Sequence, residues 1–399
     1  MSIGKFVCVF GLLIYSWAAF GQTKVFNLIT RMDGVMLTYN DDSLNFWGFG
    51  FDQGSASKIT MPAPLIEVNE GDTVIINLYN PAVEAHTVHL HGLDVNQAND
   101  GVPTTSFFVL QGDTGTYSFV ASYAGNYIYH CHVTTVLHMQ MGMFGPLIVR
   151  PAGGANTLWT GGPSFDKEYS WMAYDMDKSW HDDYTAIGSF VNYFPDHFMI
   201  NNTGSDNIYT DSQVRINGLV EENILLRIFN TGYGKQSYVF PEQLNVIALT
   251  SDGRQLPLAD TLDTLEVYPG ERYGVSLSGS SALEDTIEIY YQSLYEEQLW
   301  GMNKIPVSLI EVIGLSHVDQ SGLMAPVVYP NPSEGSVSIS GCLGNTWDVI
   351  LSTSTGKLIM KFKLSSEITN LDLASLPAGF YLFTFYRDGE RIYREFILD

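Results

Sequence analysis

Basic residues are scarce in this chain. Nineteen lysines and arginines stand against 43 aspartates and glutamates, giving a formal net charge of −24 over 399 residues. So acidic a chain argues against nucleic acid and anionic lipid as partners, since both need a basic patch. Cysteine is rarer still, with three in all: Cys8, Cys131 and Cys342. Beyond the N-terminus no unbroken apolar run is long enough to span a bilayer. Helical periodicity is missing as well. What remains is an apolar content of 45%, ample for packed cores, so the chain is not globally disordered. Its length suggests two or three domains.

The first residues read as a secretory leader: Lys5, then the apolar stretch Phe6 to Ala19, then the small-residue exit Ala19-Phe20-Gly21. Cys8 leaves with it. Downstream, β-branched and aromatic segments alternate with turn signals such as Asn69-Glu70-Gly71-Asp72 and Asp100-Gly101. Short strands with frequent turns predict an all-β chain of sandwiches. The expected segments are a leader at 1–21, a first sandwich at 22–152, a second at 153–313, a polar connector at 314–326 and a small third sandwich at 327–399. Cys131 and Cys342 then fall in different domains, which argues against a bridge between them.

Six of the nine histidines gather in two clusters, His86-Thr87-Val88-His89-Leu90-His91 and His130-Cys131-His132 with His138. Side chains on a strand alternate between faces. Placed on paired strands, Cys131 and His86 look to one side, while His89, His91, His130 and His132 look to the other. His138 and Met143 complete the first set from the loop after the strand. A thiolate, two imidazoles and an axial thioether make a redox-active blue copper site. The plainer alternative, a buried thiol among scattered histidines, sits badly with this many imidazoles at alternating positions. The second set leaves two readings open: further copper, or a bare half-site of a larger cluster. Met139 and Met141 offer soft thioethers that either dock Cu(I) or pack the loop.

His86 to Gly92, Asp100-Gly101-Val102-Pro103 and Tyr129 to Gly145 resemble the multicopper oxidases and their two-domain relatives, copper nitrite reductases included. The resemblance runs from roughly Thr23 to Val312. It implies two tandem cupredoxin-like Greek-key β-sandwiches, the first copper-binding. His86, Cys131, His138 and Met143 match the type 1 copper ligands. His89, His91, His130 and His132 match half the ligands of a trinuclear type 2/type 3 cluster, and Asp100 matches an acidic residue that assists proton delivery during oxygen reduction. The resemblance implies an oxidoreductase in which blue copper takes electrons from a small-molecule or Cu(I) donor and passes them to the adjacent histidine site, where dioxygen is reduced.

Two departures matter. The Cys131–His138 loop is longer than the family's usual one. More seriously, the second domain follows the family in framework only, through Asn230-Thr231-Gly232-Tyr233 and Pro269-Gly270-Glu271-Arg272-Tyr273. Tyr238-Val239-Phe240-Pro241 and Tyr290-Tyr291-Gln292-Ser293 stand where copper ligands would be, so this domain is expected to lack them. Its two histidines, His181 and His197, read as surface or loop residues. A facing second chain in a homo-oligomer, a smaller metal complement, or none at all would each account for the missing ligands. The competing function is a non-catalytic blue copper protein for electron transfer or copper binding at the cell surface. Separately, Tyr329-Pro330-Asn331-Pro332 and Leu376-Pro377-Ala378-Gly379-Phe380-Tyr381 resemble the C-terminal sorting domain of type IX secretion. That implies export by the type IX machinery, followed by release or attachment to the cell surface.

Overall fold

A computed structural model of the chain describes residues 21–38, 43–204, 207–295, 298–311, 326–333, 335–340, 346–353, 357–365, 368–387 and 390–398. Residues 1–20 of the expected leader, Cys342 and most of the connector lie outside the described residues. The chain divides into two compact units, Met1–Glu311 and Val312–Asp399.

The first unit begins with eight strands: β1 (Thr23–Leu37), β2 (Ser43–Phe51), β3 (Ile66–Asn69), β4 (Thr73–Tyr79), β5 (His89–His91), β6 (Thr114–Val120), β7 (Gly125–His130) and β8 (Phe144–Arg150). They form two four-stranded sheets, ordered β2-β1-β4-β6 and β3-β8-β7-β5. Strand β4 shows why. Val74, Ile76 and Leu78 alternate with less buried residues, so one face packs inward. In β6 Tyr117 and Phe119 do the same from the next strand.

Strand β7 departs from alternation, with all six residues buried. Tyr127 and Tyr129 face the core of the first sandwich, whereas Ile128 joins Phe144 and Ile148 in an apolar layer that also contains Met172, Tyr174, Met176, Met199 and Phe229. That layer joins the first sandwich to a second one. Its members need no polar face, because each side of the strand is covered.

The second sandwich contains β9 (Lys167–Met176), β10 (His197–Ile200), β11 (Ile216–Leu219), β12 (Ile224–Asn230), β13 (Lys235–Val239), β14 (Asn245–Ser251), β15 (Arg254–Thr261), β16 (Thr264–Val267), β17 (Arg272–Ser278), β18 (Leu283–Gln292) and β19 (Leu299–Ile310). Its sheets run β10-β9-β12-β17-β14-β15 and β11-β19-β18-β13-β16. Two short helices matter below: α1 (Thr135–Gln140) in the loop between β7 and β8, and α2 (Lys178–Asp182) after β9.

The second unit is a smaller pair of sheets of three and four strands, from Val327–Tyr329 to Glu390–Leu398. Trp347, Phe383, Phe385 and Phe396 lie in its core. The architecture is all-β.

Candidate metal centre

Strand β7 delivers His130 and then stops, so Cys131 and His132 lie just past its end rather than on it. The following loop closes on itself. The Cys131 amide donates to the Met143 carbonyl at 3.0 Å, and the Met143 amide donates to the His138 carbonyl at 3.0 Å. Helix α1 lies within this loop, starting after Thr134 in the left-handed region at φ +41°. His86 is anchored elsewhere, through a reciprocal backbone pair with Val109 at 3.1 and 2.9 Å.

These constraints bring Cys131 Sγ to 3.6 Å from His86 Nδ1 and 3.2 Å from His138 Nδ1. All three side chains are fully buried. Met143 is buried in the same core as Cys131. Burial lowers His86 to about 3, helped by His138, and lowers His138 to about 4. Both imidazoles are therefore neutral, with lone pairs to offer. Burial pushes the Cys131 thiol up to about 11, although hydrogen bonds from Val133 and Thr87 pull the other way. A bound cation would reverse that and take the thiolate, releasing a proton. Donors 3.2–3.6 Å apart fit bonds of about 2.0–2.3 Å to one metal ion. A thiolate with two imidazoles and a thioether buried in the same core suits copper.

On the other side of β7, β5 pairs His89 with His130 and His91 with Ile128. One ligand atom each from His89, His91 and His130 lies within 4.8 Å of the other two. The Asp100 carbonyl engages His89 Nδ1 at 2.7 Å, and the Asp100 carboxylate lies 3.4 Å from the same nitrogen. The Cys131 carbonyl engages His130 Nδ1 at 2.9 Å. The His89 and His130 rings are thus each held through Nδ1 by an oxygen, leaving Nε2 as the free ring nitrogen, as a metal-binding imidazole requires. His130 Nε2 comes within 3.2 Å of His91 Nδ1. His132 stacks on His130, ring centroids 5.8 Å apart, but lies outside the three-donor group.

Burial depresses this set as well. His91 falls to about 4, by burial first and then by the Arg272 guanidinium. His130 falls well below the usual imidazole range, by burial and then His89. Gly101, at φ +75°, allows the approach of the Asp100 turn: a Cβ there would lie 2.0 Å from the Val88 carbonyl oxygen.

The second sandwich touches the second set. Arg272 is buried and held by Asp252 at 2.8 Å, and Gly270 abuts the His91 ring. Tyr238 and Tyr291 are fully buried in the second core, in segments where the family resemblance would place ligands. Among the described residues, both groups able to hold a metal belong to the first sandwich.

His181 and His197 are not surface residues. Each is 2% exposed. His181, on α2, is buried because it packs against the first sandwich: its Nδ1 meets the Asn45 carbonyl at 2.7 Å, and Asn45 Nδ2 donates back to its carbonyl at 3.3 Å. His197 opens β10, paired with Met176. Met141, 1% exposed, packs in the core of the first sandwich, and Met139 packs against the apolar layer between the sandwiches. Sequence reasoning did not find Glu84, whose carboxylate lies 3.2 Å from His138 Nε2. Nor did it find Gln140, Trp47 or Arg272, none of which carries a metal-ligand spacing.

A sandwich that sets a buried Cys-His pair beside a three-imidazole cluster defines a cupredoxin-type copper protein. The comparisons with known proteins agree: residues 54–154 match the multicopper oxidase family model, and residues 327–399 match that of the secretion-system C-terminal sorting domain. The blue copper oxidase of Nitrosomonas europaea superposes with a TM-score of 0.56 at 26% identity, over 75% of this chain and 89% of that one. Laccase 1 of Metarhizium robertsii is 28% identical over 158 residues, 34% of this chain and 25% of the laccase. A copper-containing nitrite reductase of Neisseria meningitidis is 33% identical over 144 residues, 35% of this chain and 30% of the reductase. The matched region thus spans about a third or less of these curated relatives. The sorting domain directs the protein to the cell surface or the medium.

Proposed function

We propose that this protein is a secreted copper oxidoreductase of the multicopper oxidase type. In this reading His86, Cys131 and His138, with Met143 as axial ligand, hold type 1 copper. His89, His91 and His130, with His132 beside them, hold the second, type 2 or type 3, copper site. Residues 22–152 form the copper-binding cupredoxin domain, and residues 153–313 form a second cupredoxin-like domain without ligands. When bound, the two sites would supply a one-electron acceptor and a place to reduce a small acceptor such as dioxygen.

The observation that carries this reading is the double use of Cys131. Its sulfur belongs to the first set, and its carbonyl oxygen holds the His130 ring of the second at 2.9 Å. One residue thereby couples the two sites through a covalent and hydrogen-bonded path. Asp100 orients His89 through its carbonyl and places a carboxylate 3.4 Å from the same nitrogen, where it can hold or give up a proton. Arg272 and Gly270 close the site on the His91 side.

The second reading is a non-catalytic blue copper electron carrier. The tyrosines filling the second core favour it, because the second sandwich supplies no imidazole to the His89 cluster. A neighbouring chain in a homo-oligomer would have to supply any more.

Copper counting with visible and paramagnetic resonance spectra on the purified protein tests both. Two or more coppers per chain, with oxygen consumed in the presence of a reductant, support the oxidase. One copper with a blue band and no oxygen consumption leaves the electron carrier. A protein that binds copper without a blue band refutes both.

A further inference from the structure

In this structure the His138 ring has no exposed edge. It is fully buried, and Glu84 covers its Nε2 at 3.2 Å. A donor therefore cannot touch the imidazole itself. On another side the Trp47 ring meets the His138 ring edge-on, with centroids 5.3 Å apart. Trp47 is only 2% exposed, and its own cover is Tyr184, edge-on at 4.8 Å and 36% exposed. Three packed rings lead from solvent to the sulfur ligand's neighbour.

Their alignment is built in. The Trp47 amide donates to the Met141 carbonyl at 2.8 Å, tying β2 to the ligand loop. Two residues before Trp47, Asn45 exchanges two hydrogen bonds with His181, and Tyr184 follows three residues after His181. The segment that carries Tyr184 is thus stapled to the strand that carries Trp47.

Resting on the type 1 copper assignment above, we propose that electrons enter at Tyr184 and tunnel through Trp47 to His138. The step is one electron from a one-electron reductant to Cu(II), giving Cu(I) and the oxidised reductant. No bond breaks, no proton moves, and neither ring is itself oxidised. The second sandwich, in which no metal-holding group lies among the described residues, thereby supplies the entrance. Tyr184 and Trp47 are positioning residues for electron transfer and touch no metal.

The test uses full-length, copper-loaded protein and hexaammineruthenium(II), a cation that the acidic chain attracts. The blue band and reduction potential are recorded first, so a failure of the copper assignment shows at this stage as a missing band. Anaerobic bleaching of the band is then followed by stopped flow. Tyr184→Leu should slow bleaching several-fold with band and potential unchanged, and Tyr184→Phe, which keeps the ring, should restore the rate. In the copper-free protein Tyr184→Leu should also raise iodide quenching of tryptophan fluorescence, because it uncovers Trp47. Wild-type bleaching rates in Tyr184→Leu would overturn the proposal. So would a rate that falls in Glu84→Gln and not in Tyr184→Leu, which would place the entrance at Glu84.

Discussion

Metal-free protein should lose stability steeply between pH 7 and pH 5. His86 and His138 are both fully buried, and their imidazoles are lowered to about 3 and about 4. In the unfolded chain each titrates near the ordinary value of about 6.5. Because the folded values are depressed, the stabilising contribution is complete above about pH 6.5 and drains away as pH falls toward 4 and then 3. From pH 7 to pH 5 the unfolded chain takes up nearly one proton at each residue while the folded chain takes up none. That costs about 2 kcal/mol per imidazole, or about 4 kcal/mol for the pair. His91 and His130 push in the same direction. Set against a typical stability of about 5–15 kcal/mol, the loss is large. Urea unfolding of the apoprotein at pH 7, 6 and 5, followed by tryptophan fluorescence, measures it. His138→Gln alone should remove about 2 kcal/mol of the pH dependence. A flat profile would refute the reasoning, as would imidazole proton resonances that titrate near pH 6.5 in the folded apoprotein.

Three further outcomes are expected. Cys131→Ser should abolish the blue band and lower the copper count by one, whereas His89→Ala should remove copper from the second set and leave the band in place; absorbance with elemental analysis checks both. Glu168→Gln should cost about 3–5 kcal/mol, because it strips the carboxylate from the fully buried Arg227 guanidinium it pairs with. Thermal unfolding should show that loss in the transition of Met1–Glu311 and not in that of Val312–Asp399. Deleting 327–399 should block export while the copper spectrum survives, which cell fractionation and absorbance together report.

The all-β class was legible because strands such as β4 and β6 bury alternate residues, and period-two patterning is a local signal. The sorting of histidines onto two sides of β7 was legible for the same reason. The structure brings together His86, Cys131 and His138, and His89, His91 and His130, but His86 lies off β5, Cys131 lies past the end of β7, and His132 stays outside the second group. The burial of His181 was not legible. Its sequence neighbours, Lys178 and Asp182, form an exposed i,i+4 ion pair and give α2 a polar look. Only the tertiary docking on Asn45 turns the imidazole inward. Glu84, Trp47 and Arg272 escaped for a related reason: none has a metal-ligand spacing, and only the tertiary fold brings each one against a site imidazole.

The same docking shows what the second sandwich contributes to the candidate metal centre. Gln140 lies two residues past His138 on α1, and its amide is gripped entirely by the second sandwich. It donates to the Asp175 carbonyl at 3.1 Å, while its own oxygen accepts from the Asp177 amide at 3.0 Å and the Tyr193 hydroxyl at 3.3 Å. Asp175 is buried, and burial raises its carboxyl above the usual range against the pull of Tyr193, Tyr233 and Gly234. Buried polar groups are costly unless fully paired. Releasing the ligand loop would therefore strand the Gln140 amide and the Asp177 N–H together, while Tyr193 keeps its hydrogen bond to Asp175. The loop that carries His138 and Met143 would by itself have many conformations to lose. A clamp from the neighbouring sandwich removes that freedom before any metal arrives, which is the condition for a preorganised site.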